Sequence, residues 1–78
     1  MVEDKIIEWL GEHEIYPFSV LYSKKYSFVK IDFHTELDRD SMLGLVGYEK
    51  MCDRSGILVE KETIIFKDNI LFRHVGKI

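Results

Sequence analysis

The single thiol of the chain, Cys52, is accompanied by His34, His74 and Asp32, which together are the residue types of a cysteine nucleophile, an imidazole base and a carboxylate that orients it. No spacing signature joins them. Cys52 also falls near the C-terminal end of an expected helix, where the negative end of the dipole disfavours the thiolate a nucleophile needs. The expectation is a small, half-buried structural cysteine, no catalytic residue and no enzyme. A second candidate chemistry is metal binding, because Asp32, His34, Glu36, Asp38 and Asp40 place a possible ligand at every second position. A calcium loop would need glycine at its sixth position and glutamate at its twelfth, where this chain has Leu37 and Leu43. Asp32 and His34 share a strand face and would be the strongest pair, but capping carboxylates explain the run more simply, and no metal or other cofactor is expected.

The stretch KKYSFVKI, residues 24–31, poses a different question. As a strand it places Val29 and Ile31 on one face and Tyr26, Phe28 and Lys30 on the other. It resembles the first ribonucleoprotein motif of RNA-recognition-motif domains in Lys24, Tyr26, Phe28 and Val29, and departs from it at Lys25, Ser27 and Ile31. The resemblance implies that Tyr26 and Phe28 stack on bases, with Lys24 as a phosphate or base contact and Lys30 beside them. Residues 65–70, IFKDNI, lie beside the second motif of the same domains, with Lys67 at a position that is apolar there. Two other readings compete. Tyr26 and Phe28 could pair across strands with Phe18, Val20 or Tyr22, or they could belong to an interface on an open sheet face with a partner protein or a second copy of the chain.

Gly44-Leu45-Val46-Gly47 is a lone pair of glycines at i, i+3. Nucleic-acid-binding loops of this form have basic residues in or beside them, whereas here the two intervening residues are apolar. Close packing of a helix on the sheet is the simplest reading, and contact with a second copy through Gly44 and Gly47 is the other.

These residues must be positioned by a small set of elements. Val2, Ile6, Trp9 and Leu10 form an apolar stripe that predicts a helix over 2–13, and Asp4, Glu8 and Glu12 line its opposite side as an acidic ridge. Pro17 ends that connection, and 18–22 and 26–34 read as a hairpin around Ser23-Lys24-Lys25. Thr35, Asp38 and Asp40 are N-cap candidates for a helix over 38–54 closed by Gly56, with a strand over 42–48 as the alternative. ILVE and TIIFK read as β-rich runs, one strand or two depending on whether 57–67 is continuous, and Asp68-Asn69 as a turn into a further strand, ILFRHV. The order α-β-β-α-β-β, with one optional last strand, predicts an α+β two-layer sandwich whose helices cover one face of an antiparallel sheet. It is also a circular permutation of the ferredoxin-like order.

The length of 78 residues fits a single domain, 1–78, with a small core. The lone cysteine and the N-terminal MVEDKIIEWL, which lacks the regions of a secretory signal, point to the cytoplasm, and no run approaches the length of a membrane span. Residues 1–40 hold nine acids against five lysines and arginines, and 41–78 hold five against six, so the net charge of −3 is concentrated in the first half. That balance argues against broad binding to duplex DNA or anionic lipid and makes nucleic acid the less favoured partner. The expected function is that of a small non-enzymatic protein-binding module, a regulator, adaptor or inhibitor that acts by covering a basic partner surface. The residues expected to carry it are Asp4, Glu8, Glu12, Tyr26, Phe28 and Lys30. Single-strand nucleic-acid binding through Lys24, Tyr26, Phe28 and Lys30 is the alternative.

Overall fold

The apolar stripe at the N-terminus folds as helix α1, Val2–Glu12, and buries Ile6 and Leu10 completely. Glu3 and Asp4 lie in its first turn, where the positive end of the dipole favours them. A computed structural model describes residues 1–47 and 56–76 and continues with strands β1, Ser19–Ser23, and β2, Phe28–Asp32. Helix α2, Glu36–Leu45, starts at Thr35, whose hydroxyl accepts a hydrogen bond from the Asp38 amide at 3.1 Å. Strands β3, Ile57–Glu60, and β4, Thr63–Lys67, form a second hairpin, and helix α3, Asp68–Val75, follows directly.

The sheet has the order β1-β2-β4-β3 with every neighbouring pair antiparallel. This is the order a ferredoxin-like sheet takes when its first strand is moved to the end of the chain. Val29, Ile31, Ile64 and Phe66 alternate onto one face and join Ile6, Leu10, Met42, Leu43 and Leu71 in one buried cluster. The three helices among the described residues therefore lie on that face, and the sandwich has two layers. Each fully buried aliphatic side chain in this cluster contributes roughly 1.5–3 kcal/mol of transfer free energy. Among the described residues no helix is long and apolar enough to cross a membrane.

The last element differs from the expected strand. ILFRHV is β-prone, but β4 is central: β2 pairs with one of its edges and β3 with the other, so a strand turning back at Asp68-Asn69 could not form a hairpin with β4. The segment folds as α3 instead, buries Leu71, and has Asp68 in its first turn and Arg73 in its last, each matched to the dipole.

Smaller differences concern boundaries. The β1–β2 turn spans residues 24–27, with Ser27 at φ 57°, so Tyr26 lies in the turn and outside the strand. Helix α2 begins earlier than 38 and ends at Leu45, and residues 41–45 are helical, which removes the strand alternative there. Gly47, at φ 71°, ends the helix in the left-handed conformation, with its amide bonded to the Gly44 carbonyl at 3.1 Å. Gly44 is exposed and a β-carbon on it would meet nothing within 4 Å, so it does not mediate the close helix packing expected of the glycine pair. Cys52 and the later part of the segment expected to be helical lie outside the described residues.

Candidate functional site

Two surfaces carry the residues singled out in the sequence, one on each layer. On the helix layer, Asp4, Glu8 and Glu12 are all exposed along one side of α1. Asp4 lies 3.8 Å from the N-terminal amine. Glu8 and Glu12 border a shallow groove of about 140 Å³ between α1 and the end of α3, together with Lys5, Trp9 and Val75. Trp9 is half-buried and meets His13 edge-on, with ring centres 5.4 Å apart. The groove thus pairs carboxylates with an aromatic and an aliphatic surface, and Lys5 closes one end with a positive charge.

Beyond the first turn of α1, the acidic charges are not arranged for stability. Asp4, Glu8 and Glu12 repel at i, i+4 by a few tenths of a kcal/mol per pair. Glu12 stands in the last turn of α1, which holds no basic residue, where the dipole disfavours a carboxylate by about 0.3–1 kcal/mol.

On the sheet layer, the face turned away from the helices is crossed by three rows. The central row runs Leu21, Lys30, Ile65, Leu58, read from the three strand pairings. Leu21 and Leu58 are 54% and 58% exposed. At one end of the strands, Ser23, Phe28 and Lys67 form the next row; at the other end, Ser19, Asp32, Thr63 and Glu60 form the third. Phe28, Leu58, Ile65 and Lys67 line a shallow depression of about 210 Å³ together with Gly56.

Tyr26 reaches this face from the turn. Its ring stacks on Phe28 with centres 6.5 Å apart and planes 21° from parallel, and Lys25 Nζ lies 5.2 Å from its centre. The turn is held by the Ser23 hydroxyl, which accepts from the Tyr26 amide at 3.2 Å. The expected partners of these rings across the strands do not face them: Val20 and Tyr22 pack against the core, and Phe18 meets His34 edge-on at 5.4 Å. Of the two stretches that resemble ribonucleoprotein motifs, the second spans the end of β4, next to β2, and the first turn of α3. Its aromatic, Phe66, is fully buried on the helix side, so the open face there presents Ile65.

Asp32 is committed within the fold. It accepts from the Ser19 hydroxyl at 2.8 Å and from the Thr63 hydroxyl, and the Thr63 bond is the main cause holding its carboxyl below the usual range, with Ser19 and Lys30 adding to it against some desolvation. Tyr22 donates to Asp68 at 3.2 Å, and partial burial followed by that carboxylate pushes its hydroxyl above the ordinary tyrosine value. Among the described residues no group of three or more His, Cys, Asp or Glu could hold a metal ion. The sequence reading missed Leu21, Leu58, Ile65 and Lys67 on the open face, although period-two alternation in ILVE and TIIFK carries that signal. It also missed Val75 in the α1 groove, because that residue reaches the groove only through a helix where a strand was expected.

No protein family matches the chain, and neither does a curated protein or a solved structure.

Proposed function

We propose that this protein is a small non-enzymatic module that binds a partner protein through the acidic side of α1, with the cytoplasm as its compartment, and that it regulates, adapts or inhibits by covering a basic site. The observation that carries the reading is the groove in which Glu8 and Glu12 flank Trp9 and Val75. A lysine or arginine of the partner would lay its aliphatic stem along Trp9 and Val75 and place its charge between the carboxylates. Lys5 would steer that charge toward the Glu12 end. The unfavourable electrostatics of the ridge support the same reading, since surfaces that lower stability are often kept for binding.

The test is capture from a nuclease-treated extract, comparing the wild type with Glu8→Arg/Glu12→Arg at matched helix content. A protein that the wild type retains, that elutes as salt is raised and that the variant loses supports the proposal. Equal retention by both would sink it.

Binding of single-stranded nucleic acid is the second reading, supported by the stacked Tyr26 and Phe28 with Lys25 over the outer ring. It predicts that Tyr26→Ala and Phe28→Ala each weaken binding of a labelled oligouridine by about 1–3 kcal/mol in fluorescence anisotropy while the fold survives. The burial of Phe66 leaves this face without the aromatic that the second motif would supply.

A further inference from the structure

The open face of the sheet is polarised along its strands. One end carries Lys67, with Lys24 and Lys25 in the adjoining turn. The far end carries Asp32 and Glu60, with Lys61 and Glu62 in the turn beyond them. Between them lies the row of Leu21, Lys30, Ile65 and Leu58. Two copies can meet face to face about either of two in-plane twofold axes. An axis along the strands would set lysines over lysines. An axis along the central row sets the basic end of each copy over the acidic end of the other and brings Leu21, Ile65 and Leu58 each onto its own image. Lys30 lies in the same row, two residues from Asp32 on the same strand face, so its long side chain can carry its charge off the axis toward that carboxylate.

We propose that the chain forms an isologous dimer through its open sheet face, about a twofold axis along Leu21, Lys30, Ile65 and Leu58. The proposal is independent of the α1 reading and uses the opposite layer. Four strands spaced about 4.8 Å apart, three of them five residues long and β3 four, present a face of roughly 300 Å² in plan. That is small beside the roughly 800 Å² per partner of a standard interface, so the dimer is weak and exchanges readily with monomer.

Sedimentation velocity of the full chain, from about 10 µM to about 1 mM, tests it. The expected result is a concentration-dependent rise from the 9.3 kDa monomer to twice that mass. Leu58→Asp alters a side chain that is already exposed and sets a carboxylate, too short to carry its charge off the axis, against its own image; it is expected to abolish the rise without lowering Tm. Lys67→Glu and Glu60→Lys each are expected to weaken the dimer by roughly threefold to tenfold, and the double variant to restore it. Lys67 and Glu60 lie at opposite ends of one sheet, so only contact between copies produces that rescue. A chain that stays monomeric at 1 mM, a dimer indifferent to Leu58→Asp, or failed rescue overturns the proposal. A monomer that binds oligouridine through Tyr26 and Phe28 overturns it in favour of base stacking.

Discussion

Asp32 shows how a residue with the chemistry of a ligand can be spent on architecture. Its two oxygens take hydroxyl donors from β1 and β4, so it ties three strands together at one end of the sheet. A carboxyl held below its usual range, here chiefly by Thr63, contributes stability that is complete above the unfolded value near 3.9 and is lost as pH falls through the lower folded value. Asp32→Asn is therefore expected to lower Tm at pH 6, with the gap to wild type closing below about pH 4; melts from pH 2 to 7 that show a constant gap would contradict this assignment. Glu12 makes the opposite case. Glu12→Lys removes a like charge from the ridge and an acid from the helix C-terminus, so a gain of about 0.3–1 kcal/mol in denaturant melts is expected, together with weaker partner binding.

Among the elements, α3 shows why local sequence alone misleads. ILFRHV has strand composition, yet both neighbours of β4 are already assigned, and that non-local fact excludes the expected hairpin, while a helix buries Leu71. Leu71→Ala is expected to lower stability by about 2–5 kcal/mol, and a loss below 1 kcal/mol in urea melts would show that α3 is not docked on the sheet. The elements carried by local signals were legible: the stripe of α1, the hairpin of β1 and β2, the Thr35 cap and the two strands after Gly56. Gly56 itself was read as a helix stop. It stands at φ 96° beside Ile70, so Gly56→Ala is expected to destabilise by about 1–2 kcal/mol through backbone strain.

At the scale of the molecule, the candidate residues separate by layer: carboxylates around Trp9 on the helices, and aromatics, aliphatics and lysines on the sheet. The alternation that sends Phe28 and Lys30 outward was legible, because it depends on one strand. The row that joins Leu21 to Leu58 was not, because it depends on the registers between three pairs of strands. The N-terminus supplies one more contact of this long-range kind. Strand β1 is an edge of the sheet, and the Tyr22 amide, free of any strand on that side, donates to a Glu3 carboxylate oxygen at 3.2 Å. An open strand edge is a template for intermolecular β-pairing and fibre growth, and the first turn of α1 blunts it with a single acid. Glu3→Ala, which leaves the core intact, is thus expected to shorten the lag of thioflavin-positive aggregation under agitation, so that this acidic N-terminal turn acts as a gatekeeper against amyloid as well as the start of a helix.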